Sequence, residues 1–213
     1  DLIIRTVSRT VQSVHSKLRK YELQTQMLRD LGAQLDVSSL FRFVLNSQVF
    51  SEVDSIRYSL SPEFCEIFPD RPAPQGGKGR MAAAYASMDS LLFKGMAKGD
   101  YRIIDDVRKA HVPSPGKITP GCLVVHALRH QGVYYGVLWI ANDQPGTIEV
   151  PLQQFFMLLS EEVSRILSSF FLFRRMEIEK FRLESVIQAM PEPVLVFDSA
   201  LNLVMENSSA EKI

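Results

Sequence analysis

The chain has 213 residues, 46% of them hydrophobic, and its 24 lysine and arginine residues balance its 24 aspartate and glutamate residues. This length predicts one domain of about 150 residues with additional segments, and the hydrophobic fraction excludes a largely disordered chain. Zero net charge argues against a general nucleic-acid-binding protein. The two cysteines exclude a disulfide scaffold and a cysteine-rich zinc module, and they favour a reducing, cytoplasmic location.

The first 32 residues carry a heptad pattern. Apolar side chains recur at alternating spacings of three and four residues, with Thr25 as one polar member. This spacing is typical of the seam of a parallel dimeric coiled coil, and it also suits an amphipathic helix that packs on its own domain. We predict a coiled-coil signalling helix over residues 1–32 whose dimer seam consists of Ile4, Val7, Val11, Val14, Leu18, Tyr21 and Leu28.

The chain starts at Asp1 rather than at a methionine, which indicates a segment of a longer protein. Its apolar stretches are much shorter than the roughly 20 residues that a membrane-spanning helix needs. We therefore expect any membrane attachment to lie outside this segment.

Alternating helix and strand patterns follow the first segment. Asp36 is predicted to cap a helix that runs through Val49. Residues 55–60 alternate polar and apolar side chains, which predicts a strand. Proline and glycine dominate residues 62–79, which predicts a long loop with a short strand at 65–68.

The middle of the chain combines flexible and regular segments. Residues 75–80 are glycine-rich and basic but lack the spacing of a phosphate-binding loop, so a flexible loop beside a pocket is predicted. An alanine-rich helix over 81–93 and a strand over 101–104 follow. Residues 111–121 form a second loop rich in proline and glycine.

The clearest pattern is a pair of apolar runs, 122–130 and 133–141, joined at Gln131 and Gly132. Glycine at the turn predicts a β-hairpin, and the nearly continuous apolar runs predict that both faces are covered. Pro151 then begins a long helix whose apolar face extends to Phe170.

Three stretches in this order resemble GAF domains: 104–106, 122–128 and 131–138. Cys122 stands where the family pattern has serine, and Ala127 where it has proline. The resemblance covers about residues 22–170. It implies an α+β fold with an antiparallel sheet flanked by helices, and a small-molecule-sensing role.

The resemblance also implies a ligand pocket on one face of the hairpin. Alternation along the strands separates the hairpin side chains into two faces, and in similar GAF domains the face with Trp139 lines the pocket while the other backs onto the terminal helices. Filling of an ordinary core is the alternative. The implied pocket residues are Leu123, Val125, Ala127, Tyr135, Val137 and Trp139, with Tyr58 and Phe93 from neighbouring elements.

No motif identifies a cofactor, so an unidentified small molecule is the candidate ligand. Bilin-binding and cyclic-nucleotide-binding patterns are absent, although Asn142 stands where the latter have an asparagine. His126 is the candidate axial ligand for a haem, and no metal site is predicted. Asp105 is expected to cap a loop by accepting backbone N–H bonds, rather than to form a catalytic pair with Asp106.

The C-terminal part is predicted to connect to another module. Residues 171–190 form a charged connecting helix. Residues 191–213 resemble the start of a PAS domain, with Asn207 and Ala210 at positions of a loose family motif. The predicted organisation is thus 1–32, 33–170, 171–190 and 191–213.

The resulting hypothesis is a regulatory GAF module of a bacterial-type signal-transduction protein, such as a two-component sensor. It forms a homodimer through its terminal helices and passes a signal to an output domain further along the same chain. No catalytic activity is predicted for this segment. The alternatives are a ligand-free dimerisation spacer and a GAF-type methionine sulfoxide reductase, which needs paired cysteines.

Overall fold

The computed structural model describes residues 2–69, 75–79, 83–110 and 119–212, with only the backbone of residues 2–13, 16, 75–78 and 212. The chain divides into two compact units, residues 1–170 and 171–213.

The first unit is built on a five-stranded antiparallel sheet in the order β2-β1-β5-β4-β3. Its longest pair is the predicted hairpin, whose turn residues Gln131 and Gly132 both have positive φ, at 48° and 81°. The sheet and its helices confirm the predicted α+β class. The strands are β1 (Ser55–Leu60), β2 (Gln75–Lys78), β3 (Tyr101–Ile104), β4 (Cys122–His130) and β5 (Val133–Asn142).

Five α-helices accompany the strands in the described residues. The predicted cap at Asp36 is confirmed, because its carboxylate accepts a hydrogen bond from the N–H of Ser39 at 2.7 Å while the Ser39 hydroxyl accepts one from the Asp36 N–H. The helices are α1 (Leu2–Leu31), α2 (Val37–Asn46), α3 (Pro62–Ile67), α4 (Met88–Gly95) and α5 (Val150–Ala189).

Several predicted segments differ from the structure. The helix predicted to run through Val49 ends at Asn46 and is followed by a separate 3-10 turn. The strand predicted at 65–68 is wrong: this stretch belongs to α3, which begins at Pro62 and is capped by the Ser61 hydroxyl. The loop predicted at 75–80 contains β2, which pairs with the edge of β1, while Arg80 lies outside the described residues. Within the helix predicted over 81–93, residues 83–87 form turns and α4 begins at Met88, while Met81 and Ala82 lie outside the described residues.

Helix α1 has two faces with different surroundings. Met27 and Leu31 are buried in the first unit. By contrast, three apolar side chains of the predicted seam, Val14, Leu18 and Tyr21, are 49%, 53% and 57% exposed. Leu28 is half-buried, and the side chains of Ile4, Val7 and Val11 lie outside the described residues. The end of α1 therefore packs on its own domain, while Val14, Leu18 and Tyr21 of the seam are open to solvent.

The second unit joins the end of α5 to a short hairpin of β6 (Leu195–Phe197) and β7 (Leu203–Glu206). Asn207 is completely buried at this junction. Its amide nitrogen donates to the carbonyls of Ile187, Met190 and Glu192, and its amide oxygen accepts from two backbone N–H groups. One side chain thus joins the helix end to the hairpin.

Among the described helices, none combines the length and the apolar character needed to cross a bilayer.

Candidate functional site

The strand register brings most of the predicted pocket residues onto one face of the sheet. Val125 pairs with Trp139, and Ala127 pairs with Val137. Directly paired residues point to the same side of a sheet, so these side chains form one surface together with Leu123. All five are completely or almost completely buried.

This surface is covered by α4 and by the turn before it. Tyr85, Met88, Leu92 and Met96 pack against the strand residues in a single apolar cluster. The predicted Phe93 also borders this cluster from α4, and its ring lies 5.2 Å from that of Tyr134. The face of the sheet that was predicted to hold a ligand is therefore closed by α4.

Two predicted pocket residues lie elsewhere. Tyr58 pairs with Leu138 and stacks on Phe41 of α2 at 3.9 Å between ring centroids, so it lies on the opposite face, and its prediction as a pocket residue is wrong. The register of β4 and β5 shifts after Leu128, so Tyr135 is an extra residue in β5. Its ring contacts Phe64 of α3 at 5.8 Å.

A charged pair is buried beneath α4, on the same face as Trp139. Arg57 of β1 and Asp89 of α4 are 5% and 0% exposed. The Arg57 Nε donates to Asp89 Oδ1 at 3.1 Å, and its Nη2 donates to Asp89 Oδ2. The indole Nε1 of Trp139 donates to the same Oδ1 at 3.0 Å. Two strands thus direct three N–H donors at a single carboxylate that helix α4 supplies.

A second polar contact holds the turn before α4. The Tyr85 hydroxyl donates to the carboxylate of Asp143, which follows β5, and the Tyr85 ring lies 6.3 Å from that of Trp139. Burial, together with this carboxylate, raises the pKa of Tyr85 well above its usual value. Tyr85 therefore stays protonated and keeps donating at physiological pH.

Asn142 has a structural role at the end of β5. Its amide oxygen accepts the N–H of Asp54 at 2.8 Å, and its amide nitrogen donates to the hydroxyl of Thr147 at 3.0 Å. These bonds connect the loop before β1 with the loop after β5.

The two aspartates after β3 differ from the prediction. The side chain that accepts backbone N–H bonds is that of Asp106, from Arg108 at 3.1 Å and Lys109 at 3.2 Å. These bonds hold the pKa of Asp106 below its usual range. Asp105 contributes its backbone carbonyl, which accepts the N–H of Gly146. The predicted loop cap therefore exists, but one residue later.

The two cysteines lie at opposite ends of the sheet. The Cys65 Sγ is near the carbonyl of Leu60, which pairs with Gly136, whereas Cys122 pairs with Asn142. Six residues of β5 separate these points, about 20 Å along a strand. In the described part of the chain, no group of three histidine, cysteine or acidic residues is arranged to hold a metal ion.

His126 is buried on the face opposite α4, and its Nδ1 donates to the carbonyl of Ala127 at 2.8 Å. Burial lowers the pKa of His126, although the bond to Ala127 and the charges of Glu161 and Asp100 oppose this effect. Because the folded-state pKa lies below the ordinary value of 6.5, the unfolded chain takes up a proton first as the pH falls. The free energy of unfolding should therefore decrease as the pH drops below about 6.5.

Urea unfolding at a series of pH values between 7.5 and 5 measures this dependence. The His126→Gln variant should lose its share of the slope, whereas the exposed His15→Gln variant controls for the loss of an imidazole elsewhere. An unchanged slope in His126→Gln would show that another group causes the dependence.

Sequence reasoning missed Arg57, Asp89 and Tyr85. An arginine inside a strand was available as a signal, because Arg57 alternates with Ile56 and Tyr58 and must point to the other face of the sheet. The pairing of Arg57 with Asp89, 32 residues away, has no local signal in the sequence.

Comparison with known proteins agrees with this architecture. No protein-family model and no curated protein sequence matches the chain. Among solved structures, it is similar to the GAF domain of an Acinetobacter phosphoenolpyruvate-protein phosphotransferase, with a TM-score of 0.53 and 13% identity over 71% of this chain and 93% of that one. It is also similar to free methionine-R-sulfoxide reductase from Neisseria meningitidis, solved with its substrate, with a TM-score of 0.54 and 13% identity over 70% and 88% of the two chains. At this identity the likeness concerns the fold, which is that of a GAF domain.

Proposed function

We propose that residues 33–170 are a regulatory module that binds a small molecule and passes the signal on through its flanking helices. The observation that carries this proposal is the buried cluster of Arg57, Asp89 and Trp139 beneath α4. A buried ion pair is weak evidence for stability, because well-packed apolar side chains often stabilise a core equally well. The cluster lies on the sheet face that the resemblance to GAF domains predicts to line a ligand pocket. This position supports a role in recognition.

A thermal-shift titration of the whole chain with a panel of small molecules tests this function. A ligand that binds the folded state raises the melting temperature with its concentration. Since Trp139 is the single tryptophan of the chain, a ligand beneath α4 should also shift the tryptophan emission. A melting temperature that rises without any change in emission would place the ligand elsewhere.

We further propose that the protein acts as a homodimer in a cytoplasmic signal-transduction protein of bacterial type. Helix α1 carries the seam, and residues 191–213 begin a PAS-type domain ahead of an output domain. The half-exposed apolar side chains of Val14, Leu18 and Tyr21 support the seam, because such residues at heptad spacing suit contact with a second helix.

The variant Leu18→Asp should convert the dimer into monomers, because a carboxylate would be buried at a heptad core position. Sedimentation velocity over a range of protein concentrations measures the change, and we expect the apparent dissociation constant to rise at least tenfold. The matched control is Arg19→Asp, which places the same carboxylate on an exposed neighbouring position outside the seam. A wild-type chain that stays monomeric, or equal effects of the two variants, would contradict the seam.

A ligand-free dimerisation spacer is the second candidate. It is favoured by the complete burial of the predicted pocket face under Tyr85, Met88, Leu92 and Met96. The two functions differ in the thermal-shift experiment, since a spacer would show no ligand-dependent stabilisation while still forming the dimer.

A methionine sulfoxide reductase is less consistent with the structure. Its chemistry requires two cysteines that can approach each other, and the positions of Cys65 and Cys122 are separated by about 20 Å along the sheet. If the chain does reduce methionine sulfoxide, replacement of both cysteines with serine should abolish the activity; activity that survives would show that the cysteines do not carry it.

A further inference from the structure

The carboxylate of Asp89 is held in the manner of a bound ligand. Arg57 contacts both carboxylate oxygens, through Nε and Nη2, and Trp139 donates a third hydrogen bond to one of them. The planar fork of a guanidinium matches the two oxygens of a carboxylate, which makes such pairs both strong and geometrically specific. Arg57 and Trp139 therefore form a site whose chemistry selects a carboxylate.

The donors and the carboxylate belong to different parts of the fold. Arg57 and Trp139 lie directly opposite each other on β1 and β5, in the middle of the sheet. Asp89 is instead supplied by the first turn of α4, a helix of only eight residues. The donors are thus fixed by the sheet, while the carboxylate can be withdrawn if this one helix moves.

Helix α4 is attached differently at its two ends. In its last turn, the Phe93 carbonyl accepts a hydrogen bond from the Tyr134 hydroxyl at 2.7 Å, and just after the helix the Ala97 carbonyl accepts one from Arg129 at 2.5 Å. At its start, Ser87 has no side-chain capping bond, and Asp89 provides a buried polar contact with the sheet. Loss of the Asp89 contact would remove the polar bond of the first turn itself, while the turn before α4 stays bonded to Asp143 through Tyr85 and the C-terminal end stays bonded to the hairpin.

One further polar group lies on the same face of the sheet. Ser55 is completely buried, and its hydroxyl has no hydrogen-bond partner among the described residues. It precedes Arg57 by two residues on β1, a distance of about 7 Å on the same side of the strand. A buried hydroxyl without a partner costs free energy, and a ligand next to Arg57 with a second polar group would satisfy it.

We propose that Arg57 and Trp139 form a recognition site for a small molecule bearing a carboxylate, and that Asp89 is an internal ligand which this molecule displaces. Binding would exchange one carboxylate for another, so the buried guanidinium would remain paired throughout. It would also remove the polar bond that the first turn of α4 makes to the sheet. The inference rests on the proposed sensory function and identifies the chemical class of its ligand.

Chemical rescue tests the site directly. In Asp89→Ala the internal carboxylate is missing, and sodium formate supplies a group of the same size and charge. We expect formate to raise the melting temperature of this variant saturably and to shift the emission of Trp139, with a half-saturating concentration at least tenfold lower than in the wild-type chain. Sodium chloride at equal ionic strength is the control for general salt effects.

The matched variant is Arg57→Met combined with Asp89→Ala, which removes the guanidinium and should abolish the response to formate. If Asp89→Ala does not fold in chloride, recovery of its native circular dichroism by formate is the same test. Asp89→Asn, which keeps an acceptor for Trp139, is titrated in parallel. Three results would overturn the proposal. They are a lack of response to formate in both Asp89 variants, a response of the double variant equal to that of Asp89→Ala, or stabilisation of Asp89→Ala by phosphate but not by formate.

The experiment also separates this inference from the sensory function. Rescue by formate, without any effect of carboxylates on the wild-type melting temperature or emission, would support the site but refute its use in sensing. Failure of rescue, with a wild-type response to a ligand of another class, would refute the carboxylate site and leave the sensory function standing.

Discussion

Replacing Asp89 with asparagine should lower the free energy of unfolding by about 3–5 kcal/mol, because the buried Arg57 guanidinium would lose the negative charge of the Asp89 carboxylate. The converse variant, Arg57→Met, should have a similar effect, since it leaves the completely buried Asp89 carboxylate without its charged partner. Both values can be obtained from urea unfolding followed by the emission of Trp139 and by circular dichroism.

The double variant, Arg57→Met with Asp89→Asn, makes this prediction specific. It removes both charges and retains an amide oxygen that can accept the Trp139 N–H, so it should be more stable than either single variant. A double variant that loses the sum of the two single effects would show that the two side chains act independently. Arg165→Met is the matched control, because its ion pair with Glu162 is partly exposed and should contribute at most about 1 kcal/mol.

The cluster also explains which features the sequence could predict. The hairpin and the cap at Asp36 depend on neighbouring residues, so local patterns were sufficient. Alternation within β4 and β5 likewise separated the hairpin side chains into the two faces that the strand register shows. Tyr58 was expected to reach the pocket from a neighbouring element but lies on the opposite face, because the relative alignment of β1 and β5 is set by pairing across 80 residues of chain and not by a local pattern.

The elements that the sequence missed depend on tertiary contacts. Strand β2 forms from a glycine-rich stretch because the edge of β1 offers it backbone hydrogen bonds. The alanine-rich residues before Met88 favour a helix locally, yet the bond from Tyr85 to Asp143 accompanies a turn there. Both are cases in which partners distant in sequence override local propensity.

A large effect of a single methyl group should occur at Gly136. This residue lies in β5 beside β1, with φ at 156°, and a Cβ built on it would lie 2.1 Å from the carbonyl oxygen of Ser59 and 2.9 Å from the Cα of Leu60. Both atoms belong to the backbone of the paired strand, so neither can move without breaking the sheet. We expect Gly136→Ala to lower the free energy of unfolding by about 3 kcal/mol or more, through strain and overpacking together.

Gly132 is the matched control, because it also has positive φ, at 81°, but a Cβ there meets no atom within 4 Å. Gly132→Ala should therefore cost only the conformational penalty of about 1–2 kcal/mol. Comparison of the two variants by urea unfolding separates the steric overlap from the backbone preference. Equal losses would mean that β1 and β5 approach each other less closely at Gly136 than described. A larger loss at Gly136 would support the close strand pairing that also holds Arg57 opposite Trp139, and with it the geometry of the proposed carboxylate site.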